Sequence, residues 1–134
     1  AVTDKYAKEL FARLVAELST SDYIVDKLVS GPKKWMGYVR LPGTARARRL
    51  DLLLTPPAEY AYAILYFTGS DKFNIAFRRW CLDRGYTLNE HALTPLKDAP
   101  APPAMADEKD IFAFVGLKYV APTERVDGKQ IVAA

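Results

Sequence analysis

The sequence predicts an α+β protein, in which a small antiparallel or mixed sheet with helices is followed by a mostly helical part. Three observations indicate this class. Apolar residues between positions 7 and 18 recur with the period of a helix. Two runs rich in β-branched and aromatic residues, 23–29 and 35–41, flank a Gly31-Pro32 turn signal. Later in the chain helical patterns dominate, and the boundary between the two parts is placed near Phe67–Ser70.

The first part is expected to run in the order helix, hairpin and strand. The helix ends near Ser19-Thr20-Ser21, and the two extended runs pair as a β-hairpin across Gly31-Pro32. A third strand from Arg46 to Thr55 is largely apolar, as expected for a central strand covered on both faces. Asp51 interrupts this apolar run. Pro56-Pro57 end the strand, because proline donates no backbone hydrogen bond.

Two helices are expected next, one on each side of the predicted boundary. The first runs from Pro57 to about Phe67, with proline tolerated in its first turn. The second runs from Asp71 to about Arg84, and Gly85 ends it. A short strand-like stretch follows over 86–93.

The last third of the chain is rich in proline and glycine signals. Residues 95–106 hold four prolines and several alanines, which indicates a loop or linker without a core of its own. Asp107 caps a last helix from Glu108 to Val115, and Gly116 closes it. The tail after Pro122 is expected to be loose.

Composition limits the classes of function. The 134 residues carry a net charge of +3 and a pI of about 9.0, which permits nucleic-acid binding but is equally typical of a mildly basic surface. The single cysteine, Cys81, excludes a disulfide framework and is expected in the core. The single histidine, His91, excludes a histidine-based zinc site. No apolar run has the length needed to span a bilayer, and the start without methionine suggests a piece of a longer protein.

The most informative segment runs from Tyr66 to Arg78. Two aromatic residues lead into a Gly69-Ser70 break that opens a helix, and Asn74 and Arg78 lie four apart on one helix face. Free backbone N–H groups at a helix start suit a phosphate or another anion. An amide and a guanidinium one turn apart can contact base edges in a groove. The segment therefore points to nucleotide binding, while Tyr66-Phe67 is either core packing or a wall against a nucleotide sugar.

Asp51 is the second candidate site residue. A lone carboxylate in an apolar strand must be hydrogen-bonded, ion-paired or metal-bound. A structural pair with an arginine and an oxygen ligand for Mg²⁺ both fit this position. Arg49 is expected on the same face of the strand, because side chains alternate. One carboxylate does not make a two-metal site, so if Asp51 is a ligand its partners lie outside this chain.

Three further polar residues have two interpretations each. Lys34, at the expected hairpin tip, is either a contact to a nucleic-acid backbone or part of a solvated turn. Glu90 and His91, in the strand-like stretch, are either functional or ordinary polar surface residues.

Taken together, these residues resemble the family X DNA polymerases of the beta and lambda group. The resemblance covers about residues 10 to 126. Its most specific strings are Arg48-Arg49-Leu50-Asp51 and Tyr66-Phe67-Thr68-Gly69-Ser70, followed by Asn74 and Arg78. Further matching segments come in the same order as in the family: Leu88-Asn89-Glu90-His91-Ala92-Leu93, Glu108-Lys109-Asp110-Ile111-Phe112 and Pro122-Thr123-Glu124-Arg125.

The resemblance implies a fold and an activity. Residues 1–68 would be the C-terminal part of a polymerase palm and 69–134 a thumb, with a proline-rich loop at 95–106. The whole protein would be a DNA-directed DNA polymerase that fills gaps in base excision repair by nucleotidyl transfer with two Mg²⁺ ions. Its partners would be gapped or nicked primer–template DNA and a deoxynucleoside triphosphate, without a membrane. The compartment would be the nucleus, with the mitochondrion as the alternative.

The resemblance also implies roles for single residues. Asp51 matches a catalytic carboxylate that binds the catalytic metal, and Arg49 matches an arginine beside the primer terminus. Tyr66 and Phe67 match a pair that lies against the incoming sugar, and Gly69 matches the backbone turn near that sugar.

Contacts to the base pair are implied in the same way. Asp71 would lie against the incoming base, Asn74 would contact that base from the minor groove, and Arg78 would contact the template strand. Residues implied to contact DNA or to steady the closed state are Lys34, Glu90 and His91.

The chain also departs from the family pattern. It lacks the first two catalytic carboxylates and the Gly-Ser phosphate motif before them, so it is expected to be inactive alone and not to bind Mg²⁺ stably. Ile75 stands where the beta enzyme has a lysine that stacks on the template.

Two alternatives stay open, a non-catalytic DNA-binding module and a template-independent terminal transferase. Arg78 favours a template-directed enzyme, since its implied contact requires a template strand.

Overall fold

The structure, a computed structural model, describes residues 4–134. The chain divides into two compact units between Thr55 and Pro56, called here the N-terminal unit and the C-terminal unit. The predicted boundary near Phe67–Ser70, between the sheet-containing part and the mostly helical part, stays a prediction. No helix among the described residues is long and apolar enough to cross a membrane.

The N-terminal unit combines one helix with an antiparallel sheet in the order β1-β2-β3. The predicted β-hairpin is confirmed, because β1 and β2 pair on either side of residues 31–33. A small cluster forms the buried core: Phe11, Trp35 and Val39. The elements are α1 (Asp4–Thr20), β1 (Ile24–Ser30), β2 (Lys34–Val39) and β3 (Arg48–Leu53).

The third strand is where the sequence prediction was wrong. Among the described residues β2 is the central strand and β3 lies at an edge of the sheet. Side chains alternate along β3, so that Leu50 and Leu52 are half-buried while Asp51 and Leu53 are exposed. The apolar run is therefore covered on one face only. The prediction failed because consecutive leucines conceal the alternation that marks a half-buried strand.

Gly37 in β2 permits a close approach of two strands. A Cβ atom at this position would overlap the backbone oxygen of Asp26 on β1 and the ring of Trp35. Only glycine therefore lets the indole of Trp35 lie across the sheet and fill the core.

The C-terminal unit is mainly helical and carries a small sheet, so the predicted α+β class is confirmed. Helix α2 packs on α4, and α3 packs on the β4–β5 hairpin. Ile111, Phe112, Phe73 and Phe77 are among its almost fully buried side chains. The elements are α2 (Tyr60–Thr68), α3 (Asp71–Asp83), β4 (Tyr86–Leu88), β5 (Leu93–Pro95) and α4 (Glu108–Phe114), with 3₁₀ turns at Pro57–Glu59, Pro122–Glu124 and Gly128–Gln130.

Helix α3 follows the sequence prediction closely. Ser70 caps it by accepting a hydrogen bond from the backbone N–H of Phe73 at 3.2 Å. Gly85 follows the helix with φ +87°, a conformation that favours glycine. Cys81 is fully buried on the inner face, as predicted, and burial raises the pKa of its thiol to about 12.

Two segments are better ordered than the sequence predicts. The proline-rich stretch is a loop, one of the two predicted alternatives, but it packs on the core, since Met105 is buried there and the Tyr86 hydroxyl donates to the Pro100 carbonyl at 2.7 Å. The tail after Pro122 is not loose. It holds two 3₁₀ turns and a bridge between Leu117 and Ala133. Both segments gain their order from tertiary contacts, which local composition does not reveal.

Candidate functional site

An open cleft of about 470 Å³ lies where α2 ends and α3 begins. Six of the predicted site residues line it: Tyr66, Phe67, Gly69, Asp71, Asn74 and Arg78. The rest of its lining is Thr68, Ser70 and Ile75. The sequence-predicted segment thus forms one surface, with polar and apolar groups facing the same space.

The turn between the two helices shapes this cleft. Gly69 follows the last residue of α2 with a φ of +71°, which favours glycine, and the Gly69–Ser70 peptide bond is cis. The side-chain amide of Asn74 donates to the Tyr66 carbonyl at 2.7 Å and so ties α3 back to the end of α2. That bond uses one of the amide hydrogens, and the other hydrogen and the side-chain oxygen of Asn74 are not needed for it.

The start of α3 is capped by the Ser70 side chain and carries a negative charge in its first turn. The Phe73 N–H is already used by the Ser70 cap. Asp71 adds a negative charge in the first turn, where it interacts favourably with the helix dipole and disfavours a second anion. The Phe73 N–H is therefore not available to an anion, and the predicted suitability of the remaining N–H groups for an anion stays a prediction.

One wall of the cleft is apolar and open to solvent. Phe67 is 57% exposed and Ile75 is 63% exposed, so neither is core packing. The ring of Phe67 meets that of the half-buried Tyr66 edge to face, with centroids 5.0 Å apart. Exposed flat side chains beside an amide and a guanidinium are typical of a surface that contacts a ring-shaped ligand.

The turn between α2 and α3 is bonded to Arg125, a residue for which the sequence predicted no separate role. The Ser70 N–H donates to the Arg125 carbonyl at 3.2 Å. The Arg125 side chain is fully buried, pairs with Glu108 and donates to the Val120 carbonyl at 3.0 Å. No local pattern links Arg125 to Glu108, so only the fold reveals the pair.

Glu90 and His91 lie in the turn between β4 and β5, which corrects their predicted position in a strand. The Nδ1 atom of His91 is 2.7 Å from Glu59 Oε1, and its Nε2 atom is 3.5 Å from Glu90 Oε1. Neither residue lines the cleft. The group connects the β4–β5 turn to the residue before α2, and its predicted role toward DNA stays a prediction.

Arg49 and Asp51 form an ion pair on the outer face of β3. Arg49 Nε donates to Asp51 Oδ1 at 2.9 Å, and the Asp51 side chain is 39% exposed. The predicted placement of both residues on one face is confirmed. The structural pair exists, and it leaves the second carboxylate oxygen of Asp51 for another partner.

Lys34 is the first residue of β2 and is exposed, next to the hairpin turn as predicted. Its implied contact to a DNA backbone stays a prediction.

Comparison with known families identifies both units. The family described as DNA polymerase beta thumb matches residues 63–126, and the family described as DNA polymerase beta palm matches residues 1–57. The chain belongs to the family X DNA polymerases. The resemblance carried by the motifs is thereby confirmed for nearly the whole chain.

Three relatives show how the chain compares with complete members of the family. It is 36% identical to DNA polymerase lambda of Rattus norvegicus, over 87% of this chain and 23% of that protein. It is 42% identical to the DNA nucleotidylexotransferase of Gallus gallus and 36% identical to the DNA-directed DNA/RNA polymerase mu of Homo sapiens, over 60% of this chain and 16% of each protein. The chain spans less than a quarter of the length of these relatives.

Family X polymerases use divalent metals, and Asp51 fits such an ion as a single ligand. A carboxylate oxygen on an exposed strand is a ligand type that Mg²⁺ prefers. Within residues 4–134, no three His, Cys, Asp or Glu side chains form a group that could hold a metal ion. The described residues fit one ligand of a family X metal site and not a complete site.

Proposed function

We propose that this chain is the palm and thumb part of a template-directed DNA polymerase that fills gaps during DNA repair. The observation that carries the proposal is the cleft, where Phe67, Asn74 and Arg78 face the same space. Family membership supplies the reaction class, since family X DNA polymerases are nucleotidyltransferases. The substrates that we propose are gapped or nicked primer–template DNA and a deoxynucleoside triphosphate.

The cleft suits the minor-groove side of a newly formed base pair. Hydrogen-bond acceptors lie in the minor groove of every base pair, so donors placed there recognise pair geometry without reading sequence. Asn74 offers an amide and Arg78 a guanidinium on the same helix face. We propose that Asn74 contacts the incoming base and Arg78 the template strand.

The apolar wall suits the sugar of the incoming nucleotide. Phe67 is exposed, and Tyr66 supports it through the edge-to-face contact. We propose that this pair packs on the deoxyribose, that Gly69 lets the backbone approach it, and that Asp71 lies near the base.

The Arg49–Asp51 pair is the proposed chemical centre of the N-terminal unit. Asp51 would be one ligand of the catalytic Mg²⁺, which supplies charge stabilisation when bound. Arg49 holds one oxygen of Asp51 and thereby fixes the direction of the other. Lys34, Glu90 and His91 are proposed to contact DNA or steady the closed state.

A pair of carboxylate variants tests the proposal in the polymerase that contains this chain. Asp51→Ala is expected to lower kcat by on the order of 10³-fold while DNA binding persists, as when one element of a preorganised electrostatic site is removed. Asp26→Ala, an exposed carboxylate on β1 of the same sheet, is the matched control and should retain activity. If kcat of the Asp51 variant stays within about tenfold of the parent, Asp51 is only an ion-pair partner and the assignment is wrong.

A template-independent transferase is the second candidate, favoured by the 42% identity to the DNA nucleotidylexotransferase. Extension of a single-stranded primer in the absence of a template distinguishes the two. Template-dependent extension alone supports the proposal, whereas equal extension without template overturns it. The isolated 134-residue chain is expected to show neither activity, because one carboxylate cannot position two metal ions.

A further inference from the structure

The C-terminal segment of residues 125–130, called here the strap, passes directly behind the turn that shapes the cleft. The Ser70 hydroxyl donates to the Val126 carbonyl at 2.6 Å, and the Ser70 N–H donates to the Arg125 carbonyl. Ser70 is also the cap of α3. The strap therefore holds the residue from which α3 begins.

The strap also touches the side of α3 one turn further on. The backbone of Gly128 lies so close to the helix that a Cβ atom at this position would be 3.1 Å from the Cβ of Ala76. That distance is shorter than an ordinary van der Waals contact, so an alanine at 128 requires the strap and α3 to separate by a few tenths of an ångström. Ala76 stands between Asn74 and Arg78 in the helix.

The strap is held together by hydrogen bonds among its own residues. Gln130 Oε1 accepts from the N–H groups of Val126 at 3.2 Å and of Asp127 at 2.8 Å. The Asp127 carboxylate accepts from the Lys129 N–H at 2.9 Å and from the Gln130 amide at 3.2 Å. This reciprocal capping is made by residues of the strap alone.

We infer that Gly128 and Val126 are positioning residues for nucleotide selection, because the strap sets where α3 places Asn74 and Arg78 in the cleft. The inference rests on the proposed function for its kinetic consequence. It also has a structural consequence that is independent of that function. Displacement of the strap must loosen the Ser70 bonds and move the cleft face of α3.

Gly128→Ala is the primary test. Gly128 does not have the positive φ that disfavours alanine, so the added methyl group acts through its contact with α3. In the full chain, hydrogen exchange of the Ser70 amide should become faster by about tenfold, because its bond to Arg125 is weakened. In the polymerase, kcat/KM for the correct nucleotide should fall by about tenfold, with a much smaller change for a mispair.

Rescue separates positioning from a loss of stability. Ala76→Gly removes the opposing methyl group but weakens a helix interior. The double variant Gly128→Ala/Ala76→Gly should therefore regain nucleotide selectivity while its melting temperature stays low. Tyr86→Phe is the matched control, since it removes another side-chain to backbone bond of the same unit from a residue that does not line the cleft.

Each result decides the inference. Unchanged Ser70 exchange in Gly128→Ala overturns it, whatever the polymerase does. Faster Ser70 exchange with an equal loss for correct and incorrect nucleotides, or no kinetic rescue in the double variant, also overturns it. If the parent polymerase shows no template-directed insertion at all, the proposed function fails, and the kinetic role of the strap fails with it.

Discussion

The two units differ in the size of the buried core that stabilises each of them. The C-terminal unit has a continuous core of fourteen buried residues. Among residues 4–55, the core of the N-terminal unit has three buried residues, and its helix leaves Leu10 and Leu14 exposed along an open apolar groove. The free energy of unfolding rises with the apolar area that a unit buries. The cleft therefore belongs to a unit with a large core of its own, whereas the Arg49–Asp51 pair belongs to a unit with a small core.

Their ion pairs show the same contrast. Arg49 and Asp51 meet on a half-exposed strand face, where solvent screens the attraction. Arg125 and Glu108 meet inside the core, with Glu108 Oε1 and Arg125 Nη1 lacking any hydrogen-bond partner among the described residues. Burying an ion pair costs desolvation free energy. Removing one partner costs more, because the other charge is then buried without a counter-charge. Under the proposed function, the Arg49–Asp51 charges serve chemistry, whereas the Arg125–Glu108 charges hold the fold together.

The largest expected effect comes from breaking the buried pair. Arg125→Met leaves the Glu108 carboxylate buried without its partner, so the free energy of unfolding should fall by about 3–5 kcal/mol. Arg79→Met is the matched control, because Arg79 pairs with Asp83 on the surface and is 78% exposed; its loss should be below about 1 kcal/mol. Urea denaturation of both variants measures the difference. Similar losses would show that the Arg125 pair has no special architectural role.

The next largest effect is a difference in the free energy of local opening between the two cores. Because the C-terminal core is larger, native-state hydrogen exchange of Phe77 and Cys81 in α3 should show a free energy of opening at least about 1 kcal/mol above that of Trp35 and Val39 in β2. Equal opening free energies would mean that the chain unfolds as one cooperative unit. The proposed difference in stability between the two units would then be wrong.

Cys81 provides a chemical probe of the same core. Its pKa is raised to about 12, since burial disfavours the thiolate. At pH 8 the native chain should therefore react with iodoacetamide on the order of 10³-fold more slowly than the urea-unfolded chain. Labelling at comparable rates in the two states would show that the core around Cys81 opens readily.

The smallest effect is the pH dependence of the strap. The backbone bond from Lys129 and other nearby donors hold the pKa of Asp127 below its ordinary value. Such a group stabilises the fold above its unfolded pKa, and that contribution is lost as pH falls through the lower, folded pKa. Ser70 exchange, corrected for intrinsic rate, should accelerate below about pH 4. Asp127→Asn, which keeps the cap without the charge, should abolish this acceleration, and an unchanged profile in that variant would exclude Asp127 as its source.

Local signals predicted much of this molecule. Ser70 and Gly85 mark the ends of α3 because capping is a property of neighbouring residues. The cleft was predictable because its lining comes from one stretch, from Tyr66 to Arg78. Sequence proximity and spatial proximity coincide there.

Non-local packing was not predictable in the same way. The edge position of β3 depends on which strands pair, and Leu52 and Leu53 look alike in sequence although only one faces the core. The order of the tail depends on Arg125 reaching Glu108, seventeen positions earlier. A local signal did exist for the strap, since Asp127 and Gln130 have the spacing of a capping box.

Arg78 gives the most direct test of whether the cleft reads the nascent base pair. Single-nucleotide insertion by the polymerase should be measured for matched and mismatched nucleotides with Arg78→Ala and with Arg79→Ala, a neighbouring arginine that does not line the cleft. Arg78→Ala should lower kcat/KM for the matched pair more than for mispairs, because its contact forms only with correct pair geometry. The expected loss for the matched pair is that of a good groove contact, about 1–3 kcal/mol, with an unchanged melting temperature and an unaffected Arg79 variant. An equal loss for matched and mismatched pairs, or a large fall in melting temperature without kinetic selectivity, would show that this helix face is structural and that the cleft does not select nucleotides.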